Sequence, residues 1–142
     1  MKRNLLTIVS LVVMSLMLIT TGAYAQSYVK ADVPFAFNVG TAEMPAGTYE
    51  IKVMNQSTIL IQNPATGAGA FSIARREDRG KTESKLVFDR VGTEYFLTEA
   101  WTGSGDAGII VPTSKHEKEL KKELELGKSS SGDHEKVVVA LK

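Results

Sequence analysis

Two histidines are the residues in this chain of 142 best suited to chemistry, and each lies beside acid: His116-Glu117 and Asp133-His134-Glu135. A zinc site needs three or four convergent nitrogen, sulfur or oxygen ligands. Here His116 belongs to a charged helical stretch and His134 to a polar, linker-like one, so nothing fixes their separation. Both are expected to be solvated, and no metal ligand is assigned. Ser, His and Asp could be assembled on paper into a triad. A nucleophilic serine needs a strained elbow, and the chain has no G-x-S-x-G turn to build one.

Three other groups invite a functional reading. The loop Gly103-Ser104-Gly105-Asp106-Ala107-Gly108 resembles a phosphate cradle in composition. A phosphate loop opens a helix whose N-terminal N–H groups converge on the anion, whereas this loop runs into Ile109-Ile110-Val111-Pro112. Asp106 alone is too little for calcium, so a plain connection is expected. Arg75, Arg76 and Arg79, with Lys81, form a basic cluster interrupted by Glu77, Asp78 and Glu83. The interspersed acids favour a solvated loop, although an anion would find its best site at these arginines. Phe35, Phe37, Tyr49, Tyr95 and Trp101 are the speculative ligand-binding set, because a small barrel with an aromatic interior can hold one apolar molecule. Aromatics at alternating strand positions are more often simple core. Should the chain be an enzyme, Asp106, Glu99 and Arg90 are the residues to suspect.

The elements that would position these groups are strands. From Val29 to Val39 every odd residue is apolar (Val29, Ala31, Val33, Phe35, Phe37, Val39) and the even ones are small or polar. Period 2 of this length predicts a strand with one buried face. A turn region from Gly40 to Gly47 comes next, and alternation resumes through Tyr49, Ile51 and Val53. Asn55-Gln56-Ser57 reads as a tight connection into the strand 58–62; it also fits the glycosylation pattern, but such a turn has its own use for Asn. Asn63 to Gly67 is a turn cluster, and 70–75 is a fourth strand of the same meander. Arg75 to Ser84 is expected to be an exposed loop.

Lys85–Val91 and Glu94–Trp101 flank Gly92-Thr93, the clearest hairpin in the chain. A short strand is expected at 109–111. Ser114 with Glu117 three residues on is a capping box that opens a helix over 115–126, with Gly127 as its stop. Its apolar stripe, Leu120 and Leu124, is thin, and charge pairs such as Glu117–Lys121 are expected elsewhere on it. The helix therefore lies on the surface. A polar linker, 128–136, leads to a closing strand, 137–141, expected to join the sheet beside the first strand. The fold class is all-β: an antiparallel barrel or sandwich of about seven to eight strands with one surface helix.

Composition sets the compartment and excludes some partners. Lys2 and Arg3, the apolar run Leu5 to Ile19 and Ala23-Tyr24-Ala25 read as a secretory signal peptide cleaved after Ala25. The run is short for a bilayer span, which takes about 20 apolar residues. The remaining 117 residues are one domain's worth. The chain has no cysteine, so an exported fold has no disulfide to lean on. Removing Lys2 and Arg3 from 17 basic residues leaves 15 against 16 acidic, a net charge of −1. That balance argues against nucleic acid as a partner.

Val33-Pro34-Phe35-Ala36-Phe37-Asn38-Val39-Gly40, Met44-Pro45-Ala46-Gly47-Thr48-Tyr49, Leu86-Val87-Phe88, Tyr95-Phe96-Leu97, Trp101 and Pro112-Thr113-Ser114 together resemble an uncharacterised family of small exported bacterial β-rich proteins. The shared pattern is V-P-F-x-F-x-V-G, L-P-A-G-x-Y, L-V-F-x-R, Y-F-L, W and L-P-x-S-x-x-E, with Met44 and Val111 standing where that family usually has Leu. The resemblance covers most of residues 29 to 126 and implies an exported β domain. It brings no activity and no functional residues.

These observations predict an exported, periplasmic or secreted β protein that is not an enzyme, needs no cofactor and acts as an envelope or interaction module. The alternatives are a carrier for a small apolar ligand and an enzyme with an unrecognised site. A partner would be an envelope protein or that ligand, and the chain would be a monomer or a dimer without a transmembrane span after signal cleavage.

Overall fold

The computed structural model describes residues 28–78, 80, 83–103, 107–127 and 134–142. The expected signal segment, Arg79, Lys81, Asp106 and most of the expected linker lie outside them. The described residues form eleven strands and one helix in the order β1 (Tyr28–Val33), β2 (Phe37–Val39), β3 (Ala42–Met44), β4 (Gly47–Asn55), β5 (Thr58–Gln62), β6 (Gly69–Ile73), β7 (Arg75–Asp78), β8 (Lys85–Val91), β9 (Glu94–Trp101), β10 (Ala107–Ile110), α1 (Lys115–Leu126) and β11 (His134–Ala140). The fold is all-β, as the alternation predicts.

The long first strand is in fact two. Pro34 removes a donor and restricts its predecessor, so β1 ends at Val33. The chain then turns away to form the small hairpin β2–β3 inside the expected turn region. Alternation survives the break: Ala31, Val33, Phe37 and Val39 are all buried. The expected meander is present as a four-stranded sheet of order β1-β4-β5-β6, with β2–β3 as an excursion between its first two members. Asn55 makes the predicted connection, its side-chain oxygen accepting from the Ser57 N–H at 2.9 Å. Asn63 organises the next turn by accepting from Ala65 and Thr66.

The second sheet runs β11-β8-β9-β10-β7, with β2 bridged to β9 through Asn38 and Phe96. The hairpin β8–β9 lies inside this sheet, with Gly92 at φ 62° in its turn. Two corrections concern its margins. Arg75 to Asp78 is not loop but the strand β7, paired in register with β10; its charges hid it, because an edge strand with few buried side chains shows no apolar alternation. The closing strand starts earlier than expected, at His134, and its long partner is β8 over seven residue pairs. It meets the first strand at its C-terminal end, through the bridge Ala31–Leu141, through Lys30 and Lys142, which exchange main-chain hydrogen bonds at 2.9 and 3.3 Å, and through the Lys142 ammonium 3.0 Å from Asp32.

The two sheets are thus joined along both margins, by that bridge on one side and by the passage of β6 into β7 through Ala74 on the other. Tyr49, Ile51, Ile59 and Ile61 of the first sheet meet Leu86, Phe88, Leu97 and Ala100 of the second in one core. Helix α1 has the predicted bounds, and Ser114 caps it by accepting from the Glu117 N–H at 3.1 Å. Gly127 ends it in an ordinary conformation, φ −71°, its N–H bonded to the Glu123 carbonyl.

Candidate functional site

Four of the five candidate ligand-binding aromatics come together, and they do so by touching one another. Phe37 meets Tyr49 edge-on at 5.1 Å between ring centres and Phe88 at 5.2 Å; Phe35 meets Phe88 edge-on and stacks on Tyr95 at 4.0 Å. Edge-to-face contact aligns the positive rim of one ring with the negative face of the next. Phe37, Tyr49 and Phe88 are fully buried, while Phe35 and Tyr95 stand at the margin of the core. Tyr49 donates its hydroxyl hydrogen bond to the Pro45 carbonyl at 2.5 Å. Burial pushes this phenol above its ordinary 10.0, against an opposing hydrogen bond with Asn63.

Trp101 is elsewhere. Ala100 points into the core and the pleat turns its neighbour outward, so the indole lies on the outer face of the second sheet, only 2% exposed. Its Nε1–H donates to Glu99 at 2.9 Å. Gly108, its register partner on β10, is the reason the ring fits: a Cβ there would collide with the indole.

The same outer face carries the densest polar cluster among the described residues. Glu117, on the first turn of α1 and 2% exposed, accepts from Lys121 at 2.7 Å, and Lys121 also reaches Asp89 of β8 at 3.2 Å. This corrects the expected layout of the helix. Glu117, Leu120, Lys121 and Leu124 share one face by the 3, 4 spacing, so the ion pair lies under the helix rather than away from it. Burial alone would lower the Lys121 pKa; hydrogen bonds to Glu117 and Asp89 outweigh it and hold the ammonium above its ordinary 10.5. His116 lies 2.9 Å from Glu94, which also accepts from Asn38 at 3.1 Å. Sequence reasoning missed this side-chain set because its members come from β2, β8, β9 and α1.

The two described candidates for catalysis are each held by neighbouring groups. Glu99 is engaged by Trp101 and by Lys136, Arg90 by the Gly92 carbonyl and by Glu135. The register places Glu99 and Arg90 on opposite faces of the sheet, so they cannot meet a common substrate atom. Among the described residues no group of three or more His, Cys, Asp or Glu is arranged to hold a metal, and no helix is long and apolar enough to cross a membrane.

Of the arginine candidates, Arg75 and Arg76 lie on the edge strand β7, and Arg79 is outside the described residues. Arg75 is highly exposed and sits 4.0 Å from Glu77 on the same strand; Arg76 is exposed too. The feature next to them was not anticipated. On β6, Phe71 is 69% and Ile73 78% exposed, on the outer face of the first sheet. Leu60, half-buried, is the register partner of Phe71, and Lys52 that of Leu60. Met54, displaced by the irregularity in β4, is also exposed, and so is Tyr28, which lies beyond its register partner Lys52. Alternation marked the strand but not its facing: the apolar Phe71 and Ile73 are the exposed positions, and the small Ala70 and Ser72, with Ala74 just beyond the strand, are the buried ones.

No family model, no curated protein and no solved structure matches this chain.

Proposed function

We propose that this is an exported, non-catalytic β protein that works by surface contact, as an envelope or interaction module. The observation that carries the reading is the exposed apolar patch on the edge strand β6 of the four-stranded sheet, Phe71 and Ile73 with Leu60 beside Phe71. An edge strand with two large apolar side chains more than two-thirds exposed, Phe71 at its middle and Ile73 at its end, gains nothing for the isolated fold. Contiguous exposed apolar surface marks contact sites. Lys52, the register partner of Leu60, and Arg75, two residues beyond Ile73, supply the polar rim that such sites carry. Export rests on the basic start, apolar run and Ala23-Tyr24-Ala25 of the sequence.

The interlocked rings favour packing over ligand carriage, since Phe37, Tyr49 and Phe88 are fully buried and each lies edge-on to at least one other ring. Of the candidates for catalysis, Glu99 and Arg90 are held in contacts between strands, and Asp106 is outside the described residues.

A photo-crosslinking side chain at position 71, compared with one at the equally exposed Leu126 of the helix, tests the reading in cells. A discrete adduct specific to position 71, from an exported fraction whose intact mass shows cleavage after Ala25, is the expected result. Equal labelling from both positions, or an uncleaved cytoplasmic protein, would sink it.

A further inference from the structure

We infer that α1 is a strap, latched to the second sheet by charged side chains, that lifts as a unit while both sheets stay folded and uncovers Phe96. This does not depend on the exported or contact-module reading, since it concerns a different sheet and a different face.

What the helix buries is the starting point. A surface helix takes most of its stability from an apolar face packed on the core. Of the twelve residues of α1 the buried one is a carboxylate, Glu117, and Leu120 and Leu124 are only half-buried. A helix of this length is marginal without such packing. Its terminal hydrogen bonds turn inward: Lys118 donates to the Ser114 carbonyl, Gly127 to the Glu123 carbonyl, and the Glu117 N–H to the Ser114 hydroxyl. The strands beneath are held quite differently, for β8 has main-chain partners on both sides, β9 and β11.

The side-chain ties divide into one that travels with the helix and two that cross to the sheet. Glu117 and Lys121, 2.7 Å apart, both belong to α1 and move together. Lys121 reaches Asp89 at 3.2 Å, and His116 reaches Glu94 at 2.9 Å. The His116 side chain is 57% exposed, and a polar contact so open to water holds little. Lys121 and Asp89, 27% and 21% exposed, are the better shielded pair and form the latch. A region with so few buried apolar contacts opens locally, below the free energy of global unfolding.

The chain has a place to bend and a surface to reveal. Buried Val111 is pinned by its N–H to the Thr98 carbonyl at 2.8 Å, while Pro112 and Thr113 after it are exposed. Bending there moves α1 without breaking a strand pairing. Phe96, 2% exposed, is the register partner of Asp89, and Glu94 lies two residues before it on the same face. Phe96 stands outside the cluster that fills the space between the sheets, so lifting the strap leaves that core closed. The outcome is an apolar surface flanked by two carboxylates and shut at rest.

The test is hydrogen exchange on the purified full chain, read residue by residue. The Leu120 to Leu126 amides should exchange together, at least about a hundredfold faster than those of β8. Ile59→Val, in the core of the first sheet, should speed β8 exchange by about 2- to 10-fold and leave α1 unchanged. Lys121→Gln and Asp89→Asn remove the latch from opposite sides, and each should speed α1 exchange by about 3- to 10-fold. Acceleration of α1 together with β8 in I59V would mean that the helix opens only when the whole fold does, and overturns the inference. So does exchange of wild-type α1 at the rate of an unfolded peptide, or an α1 rate that neither latch variant changes.

Discussion

The outer faces of the two sheets carry similar apolar side chains and treat them in opposite ways. On the second sheet Phe96 and Trp101 are 2% exposed; α1 brings His116 against Phe96, and β10 brings Gly108 against Trp101. On the first sheet Phe71 and Ile73 have no covering element among the described residues and stay in water. A half-buried strand alternates identically in both cases, so local sequence does not distinguish a face that the chain covers itself from one left for something else. The difference lies in which sheet α1 reaches, and that stems from the short span between β10 and Ser114.

The contrast can be broken most forcefully at Trp101. Trp101→Ala removes a buried indole and leaves a void, and should cost about 3–5 kcal/mol in urea unfolding. Phe71→Ser with Ile73→Ser should move stability by only about 0.5 kcal/mol per site; losses comparable to that of Trp101 would mean the bare face is structural after all. Glu117→Ala comes next. It leaves Lys121 under the helix with Asp89 alone, and the expected cost is about 1–3 kcal/mol. If thermal unfolding of this variant matches wild type, the helix does not cover its sheet in the way described.

The smallest effect is a pH dependence at the sheet margin. Hydrogen bonds from Thr48 and Lys142, then the Lys142 charge, hold Asp32 below its ordinary 3.8. A carboxylate depressed in the folded state lends its stability fully above the unfolded value and loses it as pH falls through the lower, folded one. The difference between wild type and Asp32→Asn should thus be present at neutral pH and shrink below about pH 4. A difference that stays constant down to pH 2 would show that Asp32 does not tie β1 to Lys142.

Elements with their own local signal were legible. The β8–β9 hairpin was marked by Gly92, the helix by Ser114 and Glu117, and the β5 strand by β-branched residues between two Asn turns. Elements without one were not. Arg75 to Asp78 has no apolar periodicity, and only its neighbour β10 makes it a strand. The break at Pro34 was visible, but alternation ran through it unchanged because β1 and β2 face the same core. Of the candidate site, the aromatic residues were identified and Trp101 was misplaced, since membership of a face depends on register with Ala100 and on the irregularity in the β8–β9 pairing.

Sequence alone determined the all-β class, the ends of the helix and the parity of buried residues in most strands, because period, caps and turns act between near neighbours. Tertiary structure decided which strands pair, that Glu117 and Lys121 lie beneath the helix, and which sheet face stays bare. Those outcomes depend on which distant segments come to lie side by side, as Asp89 with Lys121 and Gly108 with Trp101, and no local pattern encodes that choice.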